Sequence, residues 1–290
     1  LAALFLPCNW NEHSFDTHQN TKTKKMKTIF ITGASTGLGH ATARLFAEKG
    51  WKVIATMRQP ESTTELAALP NTILLSLDVT DPEQISKTIA TAIGMGQIDV
   101  VFNNAGYGLI GSLEATSDNQ ILRQINTNLL GVIRTTKAFI PHFRTRGSGL
   151  FISTSSIGGL VSFPFNSIYH ATKWALEGWS ESMAFELKRF GIGIKTIAPG
   201  GIATDFAGRS LDHAPSEAYD GLMSKVWNAF AGMFTHSTPE QIAAVVYEAA
   251  TDGKDQLRYV AGEDANQIYA QRLQLGAEAF HKNQDQMIFG

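Results

Sequence analysis

From Lys27 onward, short apolar runs alternate with segments whose apolar residues recur at helical spacing. "TIFIT" at 28–32 reads as a strand, a glycine-rich turn follows, and "HATARLFAEKG" at 40–50 reads as a helix with a Gly stop. "WKVIATM" is the next strand, "ESTTELAAL" a short helix and "NTILLSLDV" the third strand. "DPEQISKTIATAI" is a helix with Asp81 as N-cap and Pro82 at its first position, and "IDVVFNN" is the fourth strand. A long helix is expected from about 117 to 146, then the strand "GLFISTS", a second long helix from about 166 to 190, and the strand "IGIKTIAP". The stretch 205–238 is expected to hold no strand. The helix "PEQIAAVVYEAATDG", a strand near "LRYVAG" and one terminal helix from about Asp264 close the chain.

Strands alternating with helices imply βαβ units, hence an α/β fold with one doubly wound parallel sheet flanked by helices on both faces. Residues 26–290 read as one domain, with 205–238 as a candidate lid. The first residues differ. "LAALFLPCNW" is too short an apolar run to span a bilayer, and the polar stretch after it has no hydrophobic period. Residues 1–25 therefore read as a disordered extension. Over 290 residues the net charge is -2, so neither nucleic acid nor a membrane is expected as a partner. A single cysteine, Cys8, excludes an internal disulfide, and no Cys/His cluster has metal spacing. A reducing, cytoplasmic setting fits, and no metal is expected.

"TGASTGLG" at 32–39 lies between the first strand and the first helix. Its glycines let a backbone approach a pyrophosphate, and the helix start offers free N–H groups. The spacing of Gly33, Gly37 and Gly39 is G-x-x-x-G-x-G. At the end of the second strand, where a carboxylate would hold the ribose hydroxyls, stand Met57 and Arg58. A guanidinium suits a 2′-phosphate, which favours NADP(H) and leaves NAD(H) possible; Arg58 is otherwise an exposed strand-end arginine. Asp78, ahead of Val79, either caps a turn or bonds an adenine amino group. "NNAG" at 103–106 permits close backbone approach. In "YHATK", Tyr169 and Lys173 share one helix face, so an ammonium beside the phenol is expected to lower its pKa and let it trade a proton with a carbonyl oxygen. Ser156, at the end of the fifth strand, can hold the same oxygen. His40, His142 and His170 read as ordinary surface or packing residues.

Together Thr32–Gly39, Asn103–Gly106, Ser156, Tyr169-x-x-x-Lys173 and Pro199-Gly200 with Thr204 resemble the short-chain dehydrogenase/reductase family over residues 27–265. The resemblance implies a Rossmann-type sheet and Tyr169 as catalytic acid/base, with Ser156 placing the substrate oxygen. Lys173 would tune the tyrosine and bind the nicotinamide ribose. It also implies a helix asparagine serving a proton relay: Asn128, with Asn126 as rival and the Asn-x-x-Gly spacing before Gly131 favouring Asn128. Ser156 is chosen over Ser153 and Ser155 by its separation from Tyr169. The cofactor positions it implies include Ser35, Thr36 and Leu38 in the glycine loop, and Arg58, Asp78 and Val79 at strand ends. Asn104, Ala105 and Gly106 follow, then Tyr169 and Lys173, then Pro199, Gly200, Ile202 and Thr204. A homodimer or homotetramer built on the two long helices is also implied.

Aromatic residues crowd 205–238, among them Trp227 and Phe230. They fit a lid or an amphipathic helix that packs on the domain. With Phe163 and Ser156 they are the candidate substrate contacts. The expected activity is interconversion of a hydrophobic ketone or aldehyde with its alcohol, along the carbonyl and hydroxysteroid branch. The alternatives are a 3-oxoacyl-thioester reductase and a non-catalytic NADP-binding sensor.

Overall fold

The computed structural model describes residues 26–204 and 210–290. The expected extension 1–25, and Phe206 and Arg209 in the candidate lid, lie outside the described residues. The main sheet has seven strands: β1 (Thr28–Thr32), β2 (Lys52–Met57), β3 (Thr72–Ser76), β4 (Val100–Asn103), β6 (Gly149–Thr154), β7 (Ile192–Pro199) and β9 (Arg258–Ala261). Their order is β3-β2-β1-β4-β6-β7-β9, all parallel. The order reverses between β1 and β4, which opens a crevice at the carboxyl ends of those strands.

Period-two alternation explains why the strands read as unbroken apolar runs. Ile29 and Ile31 face one side with Val53 and Phe102, while Phe30 and Ile54 face the other with Val101 and Phe151. The first side is covered by α1 (Gly37–Glu48) and, late in the chain, by the helix Pro239–Thr251. The short α2 (Thr64–Ala67) precedes β3, and α3 (Pro82–Gly94) covers the second side. Asp81 caps α3, its carboxylate accepting from the N–H groups of Glu83 and Gln84.

The expected helix 117–146 is interrupted. A helix α4 (Asp118–Ile125), started by a Ser117/Gln120 capping box, runs into a π-turn at Asn126–Leu130 and continues as α5 (Gly131–Arg146). The wider turn fits one more residue per loop, which hydropathy spacing does not register. The second long helix is continuous, α6 (Ser167–Lys188).

The stretch after Thr204 corrects the expectation of no strand. β8 (Leu211–Ala214) pairs parallel with β5 (Gly108–Gly111), forming a second, two-stranded sheet. Gly111 has φ of 151°, and a Cβ there would meet the Ala214 carbonyl at 2.4 Å, so the pairing needs glycine. After it come α7 (Asp220–Met233) and α8 (Pro239–Thr251). The single terminal helix is also corrected: α9 (Glu263–Leu275) and α10 (Ala277–Phe289) meet at Gly276, whose φ of 77° breaks the run. A third apolar cluster joins these late helices to the Ile157–Phe163 loop, through Phe163, Ala265, Ile268 and Phe280. Among the described residues no helix is long and apolar enough to cross a membrane.

Candidate active site

The glycine loop, Asn104–Gly106, Arg58 and Asp78 all follow carboxyl ends of parallel strands, so topology alone gathers them at one edge of the sheet. Gly33 has φ of 67°, and a Cβ there would lie 2.7 Å from the Ala105 Cα. A Cβ on Gly39 would lie 2.3 Å from the Gly33 carbonyl oxygen and 2.5 Å from Asn104 Nδ2. These two glycines therefore let the loop press onto the end of β4. Thr36 is the N-cap of α1 but makes no side-chain cap, and the first turn holds no acid. Its N–H groups, with Ser35, Gly37 and Leu38 around them, carry the partial positive charge of an open helix start.

Asn104 fastens this loop to the centre of the sheet. Its Nδ2 donates to the carbonyls of Thr32 and Gly33 at 3.3 and 3.0 Å, and its Oδ1 accepts from Thr154 Oγ1 at 3.2 Å. The N–H groups of Asn104 and Ala105 both donate to Thr32 Oγ1, at 3.0 and 3.1 Å. Gly106 leads into Tyr107, which buried Asn128 clamps from both sides. The Tyr107 N–H donates to Asn128 Oδ1 at 3.0 Å, and Asn128 Nδ2 donates to the Tyr107 carbonyl at 2.8 Å. Of the two rival asparagines it is Asn128, inside the π-turn, that is turned toward this loop.

Asp78 acts as a turn cap, the first of its two readings: Thr80 N–H and Oγ1 donate to its Oδ1 at 2.8 and 2.7 Å. Val79 packs beside Gly131, where a Cβ would stand 3.0 Å from it. Arg58 is exposed and has no ion-pair partner among the described residues. Pro199 ends β7 and Gly200 follows it, and the Gly201 N–H donates at 2.8 Å to Asp264, a carboxylate only 2 % exposed. Ile202 bridges to Ser237, and the Thr204 methyl stands 3.4 Å from where a Gly37 Cβ would be. Asp264 had shown only as a helix start; its role under the Pro199–Gly201 turn has no local sequence signal.

Tyr169, Lys173 and Ser156 meet here. Ser153 and Ser155 are sealed in the core, whereas Ser156 keeps 8 % of its surface and stands beside Tyr169. The Lys173 Nζ lies 5.7 Å from the centre of the Tyr169 ring and donates to the Thr154 carbonyl at 2.8 Å. Burial lowers the Lys173 ammonium from 10.5 to about 8, against the pull of the Glu177 carboxylate one turn on. The phenol corrects the expectation drawn from spacing. Burial pushes the Tyr169 pKa above its ordinary 10.0, and the Ser156 hydroxyl only partly draws it back. Desolvation is the larger of the two influences.

Of the candidate substrate residues, Phe163 is 9 % exposed and packs edge-on against Phe230 and against Phe234, each at 5.5 Å. α7 is thus docked on the domain through Phe230, as the packing-helix reading requires. Trp227 is 42 % exposed and lines a cavity of about 110 Å³ with Ile110, His213 and Met223. The structure brings Phe163 and Phe230 together and leaves Trp227 on a cavity that neither Ser156 nor Tyr169 lines.

The model of the short chain dehydrogenase family matches residues 27–214. The chain belongs to the short-chain dehydrogenase family. This short-chain dehydrogenase is 35 % identical over 268 residues to human 17-beta-hydroxysteroid dehydrogenase type 1, covering 84 % of this chain and 80 % of that protein. The structure of a short-chain dehydrogenase from Streptomyces avermitilis superposes with a TM-score of 0.79 at 33 % identity, over 87 % of this chain and 94 % of that one. NADP-bound ElxO superposes with a TM-score of 0.70 at 28 % identity, over 85 % and 99 %.

Because burial sets the Lys173 pKa, the side chain is an ammonium below about pH 8 and an amine above it. Carbon-13 NMR of lysine-labelled protein should show one Cε signal titrating near pH 8, absent from Lys173→Met. If that signal instead titrates at the ordinary 10.5, burial does not govern this lysine.

Proposed function

We propose that this oxidoreductase uses NADP(H) to interconvert a hydrophobic ketone or aldehyde with its alcohol, with Tyr169 as acid/base. The observation that carries the proposal is the meeting of Ser156, Tyr169 and Lys173 at the carboxyl edge of the sheet, beside the open start of α1.

The residues present fit a nicotinamide dinucleotide. The uncapped first turn of α1 offers N–H donors to a pyrophosphate, and the close packing of Gly33 and Gly39 leaves no side chain in the way. Tyr169 and Lys173 would hold the nicotinamide end, with Pro199, Gly200, Ile202 and Thr204 on its other side. Arg58 offers its guanidinium to a 2′-phosphate, and Met57, rather than a carboxylate that would repel that charge, ends β2. ElxO, which binds NADP, supports the same preference.

When bound, NADPH supplies the hydride. The chain supplies the proton and the placement. Tyr169 carries a proton on Oη at neutral pH, because its pKa lies above the ordinary value, and gives it to the carbonyl oxygen as negative charge builds there. Ser156 donates a second hydrogen bond to that oxygen. Lys173, an ammonium below pH 8, steadies the phenolate left behind. Asn128 holds the Tyr107 backbone that borders the opening. The aromatic wall of Phe163 and Phe230 favours apolar substrates, and the likeness to a hydroxysteroid dehydrogenase supports that class.

The same proposal includes a cytoplasmic homo-oligomer. α6 exposes Trp174 at 42 % and Phe185 at 78 %, three turns apart on one face, with Gly178 open between them. Light scattering at micromolar concentration should give a dimer or tetramer; a monomer contradicts this part.

NADPH oxidation should be detected against a panel of bulky ketones. Arg58→Ala should raise the NADPH Kd by about 10–100-fold and leave NADH unchanged, since charge-assisted bonds contribute about 1.5–3 kcal/mol each. Equal losses for both cofactors would sink the 2′-phosphate assignment, and an inactive panel would sink the substrate class.

A further inference from the structure

The residue after Tyr169 has chemistry that a packing residue does not need. His170 is 6 % exposed, on the opposite side of the helix turn from solvent. Its Nδ1 lies 2.5 Å from the Gly158 carbonyl oxygen, and the Phe163 N–H lies 3.1 Å from its Nε2. A carbonyl can only accept and an amide N–H can only donate. Nδ1 therefore carries the proton and Nε2 is bare: one tautomer of the neutral ring satisfies both bonds. Burial lowers the imidazole pKa, against the smaller upward pull of the Gly158 carbonyl, which keeps the ring in that neutral form.

These two bonds grip both ends of the loop between β6 and α6. At its start, Ser156 Oγ accepts from the Gly158 N–H at 3.0 Å. At its end, the Phe163 ring meets the His170 ring at 5.8 Å and reaches Phe230 of α7 and Phe234 just beyond it. Space is tight as well. A Cβ on Gly158 would stand 2.8 Å from His170 Cε1 and 3.3 Å from Ser156 Oγ.

We propose that His170 is a positioning residue: through the Gly158 carbonyl and the Phe163 N–H it sets Ser156 against Tyr169 and holds Phe163 as the wall of the substrate site. The adjacent position on α6 then does more than carry the tyrosine. It fixes the loop that the tyrosine works against. The catalytic half of this inference rests on the Ser156/Tyr169 reading above; the structural half does not.

The test separates ring packing from hydrogen bonding. His170→Phe keeps an aromatic ring and loses both bonds, whereas His170→Gln keeps one donor and one acceptor. By hydrogen–deuterium exchange, residues 157–163 should exchange about 10-fold faster in His170→Phe, the scale of a lost buried hydrogen bond. His170→Gln should restore most of the protection. NADPH affinity should change less than about 2-fold, because the loop carries none of the proposed cofactor contacts, while kcat for a bulky ketone falls about 10–100-fold, as misplacement of reacting groups does. Gly158→Ala presses on the imidazole without removing it and should reproduce the His170→Phe pattern, which keeps the proposal testable if that variant folds poorly. Equal exchange in His170→Phe and wild type overturns the proposal, and so does a kcat equal to wild type. If wild type reduces no ketone, the catalytic reading has failed, and the exchange experiment still decides the clamp.

Discussion

A chain of hydrogen bonds holds this site together, and Asn104 is its central link. The amide donates to the carbonyl of Gly33 and accepts from Thr154 Oγ1, and the Thr154 carbonyl receives Lys173 Nζ. The glycine loop, the ends of β4 and β6, and α6 are thereby fixed to one another through directional polar bonds. An asparagine suits the link because one short side chain both donates and accepts. Aspartate would repel the two carbonyls it now serves.

The same chain makes a buried lysine tolerable. Desolvation of an ammonium is costly, and the drop to about 8 records that cost, but the Thr154 carbonyl and the Glu177 carboxylate keep it charged at neutral pH. The phenol beside it is pushed the opposite way. Burial drives the proton affinities of these two groups apart, so at neutral pH the phenol keeps its proton and the ammonium stands charged beside it. Neighbouring elements then shape the opening. The π-turn aims Asn128 at Tyr107, and the imidazole of His170 grips the opposite loop.

The architecture was legible in the sequence because parallel strands buried on both faces read as unbroken apolar runs, and because Asp81 and the glycines mark where elements begin and end. β5 and β8 were not legible. Each has four residues, and their partners lie about a hundred positions apart, so no local period announces them. The π-turn leaves apolar spacing almost unchanged and shows only in backbone bonding. Gly276 did carry a signal for the break between α9 and α10, a glycine inside a helical run. At the site, residue types and spacing identified which groups meet, while their electrostatics depended on burial. That is why the pKa of Tyr169 moves opposite to the direction its spacing from Lys173 implies. The Thr154 carbonyl and the Gly158 carbonyl are backbone acceptors, which any sequence offers at every position.

The central claim is that Tyr169 is the proton donor in a site that binds its cofactor independently of that proton. The direct measurement compares Tyr169→Phe with wild type in NADPH binding and in single-turnover ketone reduction. Binding should be unchanged and the rate should fall by about 10²–10⁴-fold, the usual contribution of general acid catalysis. A variant that binds NADPH normally and keeps more than about a tenth of the rate would contradict the account.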